Sequence, residues 1–156
     1  FAYKSWAMSM FWNGSLGNDI FDYTALYYET PYFFNGNRST RVLDSWSPTN
    51  TGAELPALSE TTLNSEFSTA NSFFVRDGSY VRLRSLQIGY TLPDTIASKL
   101  GASSARVYYN GTNLLTLTDF TGLDPEVPRG GALDIGVYSA QYPTNSISSL
   151  GINIKF

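Results

Sequence analysis

Apolar and polar residues alternate over four separated stretches of the chain, and each alternation predicts a β-strand with one apolar face. Over residues 2–14, Ala2, Trp6, Met8, Met10 and Trp12 share one face, and Tyr3, Ser5, Ala7, Ser9 and Asn13 the other. Lys4 joins the apolar face near its start, where a long side chain can snorkel. Residues 73–92, "FFVRDGSYVRLRSLQIGYTL", read as a long strand with a turn or bulge signal at Asp77-Gly78. Leu86, Ile88, Tyr90 and Leu92 share its apolar face, yet the same face followed backwards reaches Arg84, Arg82 and Tyr80. Two outcomes stay open: a bulge near Ser85 brings Val81 and Leu83 to the apolar side, or the strand leaves the apolar layer and its arginines enter a polar one. Residues 105–118, "ARVYYNGTNLLTLT", predict a third strand with Val107, Tyr109, Leu115 and Leu117 on one face, interrupted by Gly111 and Asn113. Residues 144–156 end on "SLGINIKF", with Leu150, Ile152, Ile154 and Phe156 opposite Gly151, Asn153 and Lys155.

The connections differ in kind. Residues 15–72 lack a sustained period and carry the turn signals "GND", "NGNRST", "SPTNTG" and "ELPALSE", with short helical or strand pieces expected in "STRVLDSWSP" and 58–67. In a compact domain, loops above about 15 residues are uncommon. Residues 93–104, "PDTIASKLGASS", predict a short helix after Pro93, with Asp94 as N-cap and Gly101 as stop. Residues 119–143 form a second long Gly/Pro-rich loop. Long and short connections therefore alternate, as in a transmembrane barrel whose short turns lie on one side and long loops on the other.

Composition narrows the chemistry. Charged residues are 15% of the 156, and aromatics also 15%, against roughly 25% charged in an average soluble domain. With ten Lys and Arg against thirteen Asp and Glu, and no basic run, a phosphate-tracking surface for nucleic acid is disfavoured. The absence of Cys and His excludes disulfides, Cys- or His-ligated zinc, Ser-His-Asp triads and His general bases. No apolar run has the ~20 residues of a membrane helix, and "FAYKSWAMSM" lacks the basic start and apolar run of a signal peptide. Strands that cross a membrane leave mean hydropathy near neutral and remain open. On this face Trp6 and Trp12 stand roughly 20 Å apart along a strand, a separation that suits two aromatic girdles as well as a soluble core. Asp124 and Glu126 of "LDPEV", with Asp119 and Asp134, are the carboxylates nearest to a calcium or acid–base set, but their spacing follows no EF-hand pattern. The Asn-x-Ser/Thr matches at Asn13, Asn37 and Asn110 are expected by chance in so Asn- and Ser-rich a chain.

"SFFVRDGSYVRLRSLQIGYTLP", "LGASSARVYYNGTNLLTLTDFTGLDPEV" and the closing "LGINIKF" resemble the C-terminal end of SusC/RagA-type TonB-dependent outer-membrane transporters of Bacteroidota. "WNGSLGNDIFDY" and "SWSPTNTGAELPAL" extend the likeness over nearly the whole chain. The resemblance implies an all-β fold: residues 1–156 would be the C-terminal part of a 22-stranded transmembrane barrel, with strands 2–14, 73–92, 105–118 and 144–156, extracellular loops 15–72 and 119–143, and the plug domain and signal peptide before Phe1. It implies no cofactor, no metal and no enzymatic activity. It implies import of glycans or oligopeptides powered through TonB, a SusD-like surface lipoprotein as lid, and contact with outer-membrane lipid and lipopolysaccharide, whose phosphates would suit Arg82 and Arg84. Trp6, Met8, Met10, Trp12, Leu150, Ile152 and Ile154 would face the membrane, and Phe156 would serve as an assembly signal whose deletion impairs insertion. Tyr32, Phe33, Trp46, Tyr138 and Tyr142 are the loop aromatics for substrate or lid contact, since sugar C–H faces stack on such rings; packing among the loops themselves is the alternative for each. The competing architecture is a secreted β-sandwich carbohydrate-binding module using the same rings.

Overall fold

The computed structural model describes residues 1–30, 36–58, 69–127 and 134–156. The chain divides into two compact units, one of residues 1–16, 79–119 and 143–156, the other of residues 17–78 and 120–142.

The first unit is a five-stranded antiparallel sheet. Its strands, in spatial order, are β1 (Ala2–Tyr3), β2 (Trp6–Ser15), β5 (Tyr80–Thr91), β6 (Ser104–Thr118) and β8 (Ile147–Lys155). The register sets side chains in rows across one face: Trp6–Tyr90–Val107–Ile152, Met8–Ile88–Tyr109–Leu150, Trp12–Leu83–Leu115, and Val81–Leu117 beside Gly14. Trp6 and Tyr90 tilt against each other at 4.7 Å. Gly111 leaves a gap in the row of Met10 and Leu86, and the Leu114 side chain folds over it.

A bulge keeps these rows in phase. Phe11 pairs with Ser85 but Trp12 with Leu83, so Arg84 is the extra residue on β5. Across β6 the pairing jumps from Leu83–Leu115 to Ser85–Thr112, with Asn113 at φ 52°, a conformation that Asn tolerates better than most residues. Of the two outcomes open from sequence, the bulge is the one adopted, and it carries Arg82 to the opposite, polar face. There Asn13–Arg82–Thr116 and Ser9–Gln87–Asn110–Ser149 form rows.

Three boundaries differ from those expected. Residues 2–14 are not one strand: the chain reverses at Lys4 and Ser5, with Lys4 at φ 51°, so that Tyr3 pairs with Trp6 and Ala2 with Ala7. Tyr3 therefore lies on the Trp6 face, and Lys4 sits in a turn. Residues 73–92 are also divided. Ser72–Phe74 is a 3₁₀ turn, β4 (Val75–Asp77) joins the second unit, and β5 begins only at Tyr80. Gly78 stands at the break, where Asn18 and Ile20 occupy the space of a side chain. Finally, α2 (Asp94–Lys99) is capped by Pro93, whose carbonyl accepts from Ile96 and Ala97, while Asp94 makes no capping bond. Gly101, at φ 70°, and Ala102 close its end with bonds to Ser98 and Ala97, the two bonds of a Schellman stop.

The second unit is built from the two stretches expected to be loops together with residues 73–78 of the expected strand. β3 (Asp19–Asp22) is the middle of a three-stranded sheet, antiparallel to β4 and parallel to β7 (Val137–Tyr138). Short strands need cover, and two small cores provide it. Ile20, Phe120 and Tyr138 form one; Ala25, Leu26 and Phe74 form the other, with Phe21, Tyr27 and Phe73 against it.

Candidate functional site

The first feature is the apolar face of the five-stranded sheet. Trp6, Met8, Met10, Trp12, Leu150, Ile152 and Ile154 all lie on it, and Leu150 is 81% and Ile152 68% exposed. Phe156 follows β8 and is exposed. Row after row of this face thus exposes large apolar side chains, which a water-soluble surface avoids at this extent. Among the described residues no helix is long and apolar enough to cross a membrane, a test that does not bear on strands.

The polar face is ordered by glycines and two arginines. Gly89 and Gly151 have no side chains, and the Arg106 guanidinium and the Tyr108 ring lie over them. Arg82 is 3% exposed. Its Nε donates to Thr116 Oγ1 and its Nη1 to Thr144 Oγ1, both at 2.9 Å, and its guanidinium lies 5.6 Å over the Tyr80 ring. A planar fork suits two hydroxyls at fixed positions, and burial strengthens both bonds.

The second feature is a cleft of about 400 Å³ in the second unit, beside α1 (Ala25–Tyr28), within the usual range of about 300–1,000 Å³ for ligand sites. Asp22 shapes α1: its Oδ1 accepts from the Thr24 and Ala25 amides at 3.1 Å and from the Thr24 hydroxyl at 2.6 Å. Glu29, which ends the helix, is held between Arg41 and Arg76, and Arg41 reaches on to Glu54 at 2.9 Å. Arg41 is fixed from the other side by a 3₁₀ turn, Thr40–Asp44, capped by Ser39. Tyr28, Ser39, Thr121 and Leu123 complete the wall with Tyr138 and Ala140.

The loop aromatics separate by packing. Tyr138 is 3% exposed, stands edge-on to Phe120 at 5.1 Å, and its hydroxyl accepts from the Leu123 amide at 2.8 Å. It is a core residue whose edge reaches the cleft. Trp46 is 44% exposed on a segment tied to Leu55, and Tyr142 is 86% exposed. Tyr32 and Phe33 lie outside the described residues, as does most of 58–67. The cleft residues Tyr28, Ser39, Arg41 and Thr121 drew no attention in the sequence, because nothing in their spacing announces a common wall. Asp124 is a buried turn former, its Oδ1 accepting from the Glu126 amide at 2.9 Å. Among the described residues, no group of three Asp, Glu, His or Cys side chains converges on a metal-sized point.

No family model matches the chain. It is 35% identical to TonB-dependent receptor P3 of Formosa agariphila over 99% of its own length, and 30% identical to TonB-dependent receptor P26 of the same organism over 99%. The chain spans 15% and 16% of those two relatives. Among solved structures it resembles the RagAB peptide transporter, with a TM-score of 0.76 and 24% identity, and the RagAB peptide importer in its open-open state, with 0.72 and 25%. Each covers 99% of this chain, which in turn covers 16% of each matched chain.

Proposed function

The chain belongs to the TonB-dependent receptors of the bacterial outer membrane, and from that premise we propose that its five-stranded sheet is a section of barrel wall in a SusC/RagA-like importer of glycans or oligopeptides. One observation carries the reading: the apolar rows cross the sheet without a charged side chain, and the Arg84 bulge keeps them in phase where simple alternation would have placed Arg82 among them. From Trp6 to Trp12 the band spans roughly 20 Å, close to the ~25 Å apolar belt of an outer-membrane barrel. A water-soluble sandwich would need a second sheet over Leu150 and Ile152; lipid covers them without one.

On this reading the wall belongs to a closed barrel of the 22-stranded plugged class, the protein acts by transport rather than chemistry, TonB engages it through another region, and a SusD-like lipoprotein caps it. Residues 15–72 and 119–143 are then extracellular connections of that barrel. The test uses the full-length receptor in outer-membrane lipid, spin-labelled at Met10 or Ile152 and, in parallel, at Ser9 or Asn153. Labels at the first pair should collide with dissolved oxygen and be shielded from a water-soluble nickel complex, and those at the second pair should show the reverse. Nickel access at Met10 and Ile152 equal to that at Ser9 would refute the wall. In cells, loss of the receptor should abolish uptake of labelled oligosaccharides or oligopeptides; undiminished uptake of both would refute the import role.

A further inference from the structure

We propose that the cleft beside α1 is a subsite for a neutral sugar ring of an oligosaccharide, an assignment that rests on the importer reading and selects one of its two substrate classes. The charges around the cleft are already spent. Glu29 is paired with Arg41 and Arg76, Arg41 also with Glu54, and Asp22 is buried with its Oδ1 accepting from the Thr24 and Ala25 amides. A charged ligand would have to pull apart pairs whose partner, Glu29, is only 11% exposed, and an uncompensated buried charge is costly. What the cleft offers is hydroxyls: Tyr28, half exposed, Thr121, and Ser39, whose Oγ accepts from the Arg41 amide and keeps its own proton to donate. Hydroxyl groups both donate and accept, matching the hydroxyls of a sugar, and the Tyr28 ring supplies a face for its C–H side.

The same wall argues against an extended peptide. One way to capture an extended peptide is to add it as a strand to an open sheet edge, and of the two edge strands of this sheet β7 is the one that lines the cleft, through Tyr138. On its inner side the Gly136 and Tyr138 carbonyls accept from the Phe21 and Tyr23 amides. Its outer groups are taken within the chain: the Val137 amide donates to the Asp134 carbonyl at 3.3 Å, Gln141 Oε1 accepts from the Ser139 amide at 3.1 Å, and Gln141 Nε2 donates to the Val137 carbonyl at 3.4 Å. Ala140, at φ 54°, then turns the backbone out of extended geometry. The edge is closed before a peptide arrives.

The experiment takes the full-length receptor, purified in detergent, and measures binding of maltohexaose, cellohexaose, xylohexaose and penta-alanine by calorimetry. At least one oligosaccharide should bind, Tyr28→Ala should weaken it about tenfold or more and Tyr28→Phe by about threefold or less, and Thr121→Val should also weaken it. Binding of none of the three sugars, sugar binding indifferent to both Tyr28→Ala and Thr121→Val, or penta-alanine binding that Tyr28→Ala abolishes would each overturn the proposal. Heat-modifiable migration on gels reports the folded barrel in the same samples. If it is present and sugar binding fails, the subsite alone falls; if it is absent, the importer reading falls with it.

Discussion

Arg82 offers the sharpest test of how the sheet is built. It is a guanidinium 3% exposed, bonded to Thr116 and Thr144 at 2.9 Å and stacked over Tyr80. Hydrogen bonds to a charged group contribute about 1.5–3 kcal/mol each, and a partly desolvated cation–π contact about 0.5–2 kcal/mol. Burying the charge costs several kcal/mol and offsets most of that gain. Arg82→Met keeps the stem, loses the bonds and recovers the desolvation, so the net loss should be about 1–2 kcal/mol. Arg82→Lys keeps the buried charge but replaces the planar fork with a compact ammonium that cannot serve both hydroxyls. It should cost more, about 2–4 kcal/mol, because an underpartnered buried charge is worse than none. The order is the test: lysine more damaging than methionine. Urea unfolding of the detergent-folded receptor, followed by tryptophan fluorescence, gives both losses from the midpoint shift. Were Arg82 in water, lysine would be the benign substitution. A lysine variant as stable as the unsubstituted receptor would therefore refute both the placement and the bulge that produces it.

The remaining predictions concern the glycine pockets and a tyrosine pair. A side chain at position 151 would meet the Tyr108 ring, so Gly151→Val should destabilise the sheet by about 1–3 kcal/mol, and Tyr108→Ala should rescue most of the loss; a Gly151→Val receptor with an unchanged urea midpoint would contradict the packing. Tyr27 titrates above the ordinary tyrosine value of 10.0, first because of its hydrogen bond with Tyr23, then through desolvation and the neighbouring Tyr23 charge. A raised tyrosine pKa means the fold favours the neutral phenol, so this contribution is full below 10.0 and is lost as pH rises through the raised pKa. In ¹³C-tyrosine NMR, Tyr23→Phe should move the Tyr27 titration back toward 10.0, and an unmoved curve would remove the cause assigned here.

What could be read in advance, and what could not, divides along the two units. In the sheet every strand shows its apolar face locally, because period two needs only neighbouring residues. Even the bulge left a trace, as a conflict of phase between Leu86 and Arg82. The hairpin at Lys4–Ser5 left only the oddity of a charged Lys4 on an apolar face: neither residue is a turn former of the Asn-Gly kind, and the alternation of their neighbours runs on through it. The second unit was illegible for a different reason. β3 and β7 are four and two residues long, too short for any period, and Glu29 meets Arg76 across 47 positions of sequence. Its aromatics show the limit plainly, since Tyr138 and Tyr142 stand four residues apart in the same Gly/Pro-rich stretch, yet one is 3% and the other 86% exposed. Nothing local separates them; the contact with Phe120 does. A wall whose outer solvent is the same for every strand repeats one instruction along the chain, and so is readable from any part of it. A site assembled from Tyr28, Ser39, Arg41 and Thr121 receives no such instruction. Substrate choice, which on this reading depends on such sites, is therefore the property that sequence periodicity reports least, and binding to the cleft is where it has to be measured.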